Sequence, residues 1–183
     1  MNRTDVFSHP QTNVLQMGLH DGMKVADFGC GSGHYTLALS GAVGASGRVY
    51  AIDIQGDVLK HLVSTLEDKH IKNVDTICGD LEKPGGSKLR EHVIDAVVVS
   101  NVLFQINDTQ ALVNEIKRVL RPGGKVLVSD WAGSYSGLGP SKEHIVPEHA
   151  AEELFITNGF HKVKSYRSGP HHYSILFTCP VVH

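Results

Sequence analysis

Val25-Ala26-Asp27-Phe28-Gly29-Cys30-Gly31-Ser32-Gly33 is the stretch on which the reading of this chain turns. Val25, Ala26 and Phe28 suit a buried strand, and the apolar run then breaks into three glycines on alternate positions. Glycine at such a break serves a backbone with positive φ, or one that a ligand approaches closely. A helical pattern follows at His34-Tyr35-Thr36-Leu37-Ala38-Leu39, with Ser32 placed to cap it, so the first helical N–H groups would face the loop. A strand, glycine loop and helix in this order bind a ligand over the strand's carboxyl end. A tight turn that merely uses glycine is the plainer alternative; three glycines in five residues, with an acid just before them, favour the ligand.

Outward from the loop, strand and helix patterns alternate. Gly41, Gly44 and Gly47 are read as ending the first helix, and Arg48 to Ile54 as an apolar strand with an acid near its end. Val58, Leu59, Leu62, Val63 and Leu66 lie on one helical face. Val74 to Cys78 is a third strand, and Lys83-Pro84-Gly85-Gly86-Ser87 a loop. The near-continuous apolar run Val93 to Val99 predicts a strand covered on both faces, as in a parallel sheet. Asp108 or Thr109 caps a helix carrying Leu112, Val113, Ile116, Val119 and Leu120, which Pro122-Gly123-Gly124 stops before a fifth strand at Lys125 to Asp130. Residues 131–147 read as a long irregular segment, which is uncommon outside functional loops. Pro147 opens a last helix that ends at Gly159, and strands near 160–167 and 172–179 form an antiparallel hairpin about Ser168-Gly169-Pro170. Repeated β-α units predict an α/β, doubly wound, right-handed parallel sheet. Residues 1–22 form an arm with a short helix after Pro10 closed by Asp21-Gly22, and residues 23–183 form the domain proper. The arm either lies across the site or packs against the body.

The bulk composition narrows the function. A chain of 183 residues, 41% hydrophobic and 20% charged, fits one globular domain rather than a disordered one. A net charge of −2 and a pI near 6.6 argue against a dedicated nucleic-acid binder. Cys30, Cys78 and Cys179 are odd in number and far apart, and neither C-x-x-C nor H-E-x-x-H occurs, so no disulfide framework or metal site is expected. Free thiols, no apolar leader and no run of ~18 apolar residues lead us to expect a soluble, cytoplasmic protein with no membrane span.

Sheets of this kind bind ligands at the strand tips, here Asp27 to Gly33, Asp53, Asp80, Ser100-Asn101 and Asp130. Asp53, about 20 residues beyond the loop, suits both hydroxyls of a ribose, or else caps a helix. Asp80 suits a purine amine, or else is an ordinary turn aspartate. The dinucleotide fingerprint G-x-G-x-x-G fails because His34 stands at its third glycine, and a phosphate-binding P-loop fails for want of Gly-Lys-Ser/Thr.

Asp27-Phe28-Gly29-Cys30-Gly31-Ser32-Gly33 resembles the first motif of class I S-adenosylmethionine-dependent methyltransferases. Tyr50-Ala51-Ile52-Asp53 resembles their ribose motif, Gly79-Asp80-Leu81 their adenine motif, and Asp95 to Leu103 their fourth motif. Leu120-Arg121-Pro122-Gly123-Gly124-Lys125-Val126 resembles the turn before their fifth strand, most like that of the ubiquinone- and menaquinone-biosynthesis group. The second strand also resembles that of fibrillarin-like and tRNA-adenine enzymes. The resemblance implies a Rossmann-like seven-stranded sheet of order 3-2-1-4-5-7-6 with strand 7 antiparallel. It implies a cofactor site at Asp27, Gly29, Cys30, Gly31, Gly33, Asp53, Ile54, Asp80, Leu81 and Ser100, with Gly29 and Gly31 nearest the methionyl end. It further implies in-line transfer of the methyl group to a small-molecule acceptor, releasing S-adenosylhomocysteine.

No general base stands out. The fourth motif reads Ser100-Asn101-Val102-Leu103 and lacks the Asn/Asp-Pro-Pro-Tyr/Phe of many enzymes that methylate amino groups of nucleic acids, which disfavours DNA bases. His9, Asn101, Trp131, Tyr135 and His172 are placed to overhang a substrate, or else serve in packing. His171-His172 suggests a metal but has no acidic or histidine partner nearby in sequence. Beside the extensions and insertions with which members of the resembled family often cover the site, the arm and the 131–147 segment are short, so the site is either open or closed by the second subunit of a homodimer. A cofactor-binding module that supports a partner without transferring methyl is the alternative function, and an NAD-dependent oxidoreductase a third.

Overall fold

The computed structural model describes residues 9–135 and 139–181. It contains α1 (Pro10–Leu15), β1 (Lys24–Phe28), α2 (His34–Val43), β2 (Arg48–Asp53), α3 (Gly56–Asp68), β3 (Val74–Cys78) and β4 (Ile94–Ser100). There follow α4 (Thr109–Val119), β5 (Leu120–Trp131), α5 (Glu148–Thr157), β6 (His161–Arg167) and β7 (His172–Thr178). The seven strands form one sheet of order β3-β2-β1-β4-β5-β7-β6, the expected one. β1 to β5 pair in parallel, and β7 runs antiparallel to both β5 and β6.

Alternation along the central strands explains the two-sided core. In β4, Val97 and Val99 join Phe28, Ile52, Val126 and Val128 on one face, beneath Leu112 and Ile116 of α4 and Phe155 of α5. Ala96 and Val98 point the other way, to Val25, Val49, Leu127 and the α2 residues Tyr35 and Leu39. Both sets are fully or almost fully buried, which is why this strand reads as a continuous apolar run rather than an alternating one. Leu59, Leu62 and Leu66 bring α3 down on Ala51 and Cys30. Each such side chain contributes about 1.5–3 kcal/mol of burial.

The local structure departs from expectation at several element ends. Ser32 does not cap α2: the N-cap is Gly33 in the left-handed region, with no side-chain hydrogen bond. Gly41 lies inside α2, which ends at Gly44. Of the two candidate caps for α4, Asp108 serves, its carboxylate accepting from the backbone N–H of Ala111 at 2.9 Å. β5 resumes at Leu120, paired with Ile94, and the Pro-Gly-Gly turn lies within an irregularity of this strand rather than ahead of it.

The described part of the arm packs. Val14 and Met17 are buried with Tyr35 and Leu39, Asn13 Nδ2 donates to Tyr35 OH at 2.6 Å, and Lys125 Nζ donates to the Met17 carbonyl at 2.7 Å. Residues 1–8 of the arm and 136–138 of the loop after β5 lie outside the described residues. Within that loop the structure shows a short 3-10 turn at Lys142–His144. Among the described residues no helix is long and apolar enough to cross a membrane.

Candidate active site

β1 and β4 are adjacent but point their following connections to opposite sides, so the strand order reverses between them, and the glycine loop lies at that point. The loop is tied to β2, because Gly29 N and Cys30 N both donate to the Ile52 carbonyl, at 2.8 and 3.0 Å. Its three glycines have different reasons. At Gly29 a Cβ would meet Val102 Cγ2 at 2.4 Å, and at Gly33, φ +83, it would meet Leu62 Cδ1 at 2.4 Å. Gly31 has φ +49 with nothing within 4 Å, so it alone presents bare backbone to open space.

Gly31 N donates to Asp53 Oδ2 at 3.0 Å, and Gln55 N donates to Asp53 Oδ1 at 2.9 Å. Asp53 therefore braces the loop against the tip of β2. It does not cap α3, whose N-cap is Gln55. Each carboxylate oxygen keeps a second lone pair for a ligand hydroxyl. Beside it Ile54 is 62% exposed, an apolar side chain left largely uncovered. Gly79 N donates to the Asp53 carbonyl at 3.0 Å, which brings Asp80 alongside. Asp80 Oδ1 accepts from Glu82 N at 3.0 Å and so also shapes the turn, while Leu81 is buried beneath it. A cleft of about 390 Å³ opens on Gly31, Ser32, Asp57, Val58 and His61. Asp53, Ile54, Asp80 and the open Gly31 thus form one polar and apolar edge suited to a nucleoside. The larger hollow, about 760 Å³, lies at the other end of the strands, where β1 and β2 begin, around Lys24, Arg48 and Lys72.

Asp27 and Cys30 stand beneath this surface. Asp27 is buried, and its Oδ2 accepts from Thr36 Oγ1 at 2.6 Å, which pins the first turn of α2. Burial pushes its carboxyl up to about 6, against the Thr36 hydrogen bonds and with help from the Asp53 charge. Burial, followed by the Asp27 and Asp53 charges, pushes the Cys30 thiol far up, so it supplies no thiolate at neutral pH.

At the tips of β4 and β5 lies a second cluster. Asn101 takes φ +57, outside the usual range for a residue with a side chain. Its backbone is held by Asn101 N donating to the Ser129 carbonyl at 2.8 Å and Gln105 Nε2 donating to the Asn101 carbonyl at 2.7 Å. His172 Nε2 lies 3.0 Å from Asn101 Oδ1. His172 is fully buried, 4.4 Å from the Trp131 ring, and burial, then the neighbouring His171, lowers its pKa to about 4. Asp130, also buried, accepts from Leu103 N at 3.0 Å and Trp131 N at 2.8 Å; burial drives its carboxyl up to about 7 against those bonds. Tyr135 and His171 form a ring pair with centroids 3.8 Å apart. Ser100 is half-buried just below, at the end of β4.

Asn101, Trp131, Tyr135 and His172 are therefore brought to one edge. His9 is exposed one step away, its N–H donating to the Ser168 carbonyl at the β6–β7 turn at 3.3 Å. Sequence reasoning missed the bracing role of Asp53, the Val102 side chain under Gly29, and the link from Asn101 to His172. The only sequence signal for the last was a polar residue at each of two strand tips. Among the described residues no cluster of three or more His, Cys, Asp or Glu side chains could hold a metal ion.

The profile of the "Methyltransferase domain" family matches residues 19–168. The chain is 36% identical over 115 residues to a demethylmenaquinone methyltransferase of Staphylococcus aureus, covering 62% of this chain and 45% of that protein. It is 33% identical over 112 residues to the demethylmenaquinone methyltransferase of Bacillus mycoides, covering 61% and 46%. The chain thus spans about half the length of the curated relatives it matches. A crystal structure described as a SAM-dependent methyltransferase from Aquifex aeolicus superposes with a TM-score of 0.85 at 24% identity, over 93% of this chain and 89% of that one.

Proposed function

We propose that this chain, which belongs to the methyltransferase-domain family, binds S-adenosylmethionine over the glycine loop and passes its methyl group to a small-molecule acceptor at the tips of β4 and β5. The observation that carries this reading is the bare backbone at Gly31 joined to a braced ribose-type acid, Asp53, 3.0 Å away. Asp53 would receive the ribose hydroxyls, Ile54 and Leu81 would flank the adenine, Asp80 would accept from its amine, and Gly29, Gly31, Gly33, Cys30 and Ser100 would line the methionyl end. Asp27 serves indirectly by fixing the start of α2. When bound, the sulfonium supplies a methyl group already activated by positive charge.

What remains for the chain is to orient the acceptor and keep the cleft dry, which on its own accounts for large rate factors. The acceptor we favour is a planar hydroxylated ring. Trp131, Tyr135 and His171 give the tip an aromatic wall, and the relatives named above are demethylmenaquinone methyltransferases. Calorimetry with S-adenosylmethionine tests the first half: saturable binding below millimolar is expected, and none at millimolar refutes it. Release of S-adenosylhomocysteine with 1,4-dihydroxynaphthalene as acceptor tests the second half. Turnover with any acceptor excludes a purely binding module.

A further inference from the structure

Several hydrogen bonds converge on Asn101, and they leave one group of that residue unused. Its main chain is held on both sides of a positive-φ residue, by Ser129 and Gln105, and the next turn is anchored through Leu103 N on the Asp130 carboxylate. A non-glycine residue in that region persists only when its surroundings over-determine it, and such residues gather at functional sites. The side chain is fixed as well, with Oδ1 facing His172 Nε2 at 3.0 Å. A neutral imidazole carries one N–H. The Asn101 oxygen only accepts, so the proton is on Nε2, and His172 Nδ1 is left as a lone pair. Nδ1 is indeed among the buried atoms without a partner. A leucine would fill this fully buried place without leaving a bare polar atom, so packing alone does not explain a histidine.

Asn101 is half-buried, and with its Oδ1 engaged by His172 no described residue accepts a hydrogen bond from its Nδ2. We propose that Asn101 contacts the methyl acceptor, offering its Nδ2 hydrogens to an acceptor oxygen, and that His172 is the positioning residue that holds the amide in that sense. The ligand class that follows bears a phenolate- or enolate-type oxygen at or beside the nucleophilic atom. Two neutral N–H donors stabilise such an oxygen without taking its proton, and they favour it over an amine, which offers hydrogens of its own. The inference rests on the methyltransferase reading and names the acceptor chemistry of that same site.

The test uses the full chain and four variants: Asn101→Ala, Asn101→Asp, His172→Gln and His172→Leu. S-adenosylhomocysteine affinity, measured by calorimetry, is expected to stay within about twofold in the Asn101 variants, whose change lies outside the ribose edge. With 1,4-dihydroxynaphthalene, Asn101→Ala should lower kcat/KM about 10- to 100-fold, mostly through KM, and Asn101→Asp more, since it sets a carboxylate against the oxygen. Glutamine at 172 puts a donor near the place of Nε2, so His172→Gln should stay within about threefold of the parent while His172→Leu falls with Asn101→Ala. Long-range proton–nitrogen NMR should show the Nε2–H tautomer at His172, a readout independent of turnover and of any loss of folding in the leucine variant. The proposal is overturned by an Nδ1–H tautomer, by an Asn101→Asp variant as active as the parent, or by glutamine no better than leucine. It is overturned in its choice of ligand if the parent takes up S-adenosylhomocysteine yet neither binds nor methylates the quinol. Failure to bind S-adenosylhomocysteine at all refutes instead the cofactor reading.

Discussion

Replacing glycine by alanine at 31 and at 33 should separate fold from function within one loop. At position 33 the new Cβ would lie 2.4 Å from Leu62 Cδ1 at φ +83, and Leu62 is fully buried, so its end has no free space to move into. A left-handed conformation costs an L-residue roughly 1–2 kcal/mol, and overpacking a core about 1–3 kcal/mol. The restricted unfolded chain returns about 0.4–1 kcal/mol. The net for Gly33→Ala is a loss of about 2–4 kcal/mol, read as a lower urea midpoint at constant slope. At position 31, with φ +49 and nothing within 4 Å, only the conformational cost applies. Gly31→Ala should therefore lose about 0–1.6 kcal/mol of stability. Yet its methyl would occupy the bare backbone that the ligand approaches, so calorimetric affinity for S-adenosylmethionine should fall about tenfold or more. Equal stability losses in the two variants, or an unchanged affinity in Gly31→Ala, would refute the assignment of packing to Gly33 and of ligand approach to Gly31.

Three further outcomes follow. Asp53→Ala removes the brace on Gly31 together with the carboxylate proposed to receive the ribose hydroxyls, so cofactor binding should weaken by roughly 1–3 kcal/mol in calorimetry, and an unchanged constant would take Asp53 out of the site. Asp27 holds its proton more tightly folded, near 6, than unfolded, so its share of stability falls as pH rises from about 4 through 6; Asp27→Asn should flatten that part of a urea-midpoint profile, and an unaltered slope would contradict the burial argument. Glu115 has the opposite sign: burial raises its pKa, but Arg118, Ser87 and the Gly85 N–H together bring it down to about 2. Glu115→Ala strands the Arg118 charge and the 85–87 turn, and should cost about 3–5 kcal/mol in thermal or urea unfolding, with a loss under 1 kcal/mol arguing against the network.

The sheet was readable because its signal is local. Each β-α unit carries its own period, and the run from Ile94 to Val99 needs no knowledge of its neighbours to read as a two-sided core strand. The glycine spacing likewise marked the loop. The cap of α2 was misread because serine's preference is statistical, whereas here the left-handed turn at Gly33, packed on Leu62, decides where the helix begins. The bracing of Gly31 by Asp53 and the pairing of Asn101 with His172 span 22 and 71 residues. No periodicity reports such contacts, because they exist only once the sheet order is in place. Glu115 was invisible for the same reason: it lies on a helix between apolar positions, and only the folded 85–87 turn explains a buried carboxylate there.

The reversal of β7 determines who can take part at the tips. A parallel last strand of seven residues would place its first residue roughly 20 Å away, at the far edge of the sheet. Running backwards, it delivers His171 and His172 beside Trp131, with His172 opposite Asn101, which the chain laid down 71 positions earlier. The edge that carries Asp53 is assembled from β1, β2 and β3, the edge that carries Asn101 from β4, β5 and β7, and the two meet only across the gap between β1 and β4. Substitutions in the last hairpin therefore leave the Asp53 edge, which is built on other strands, as it is. One sheet in this way carries two tips that can change separately.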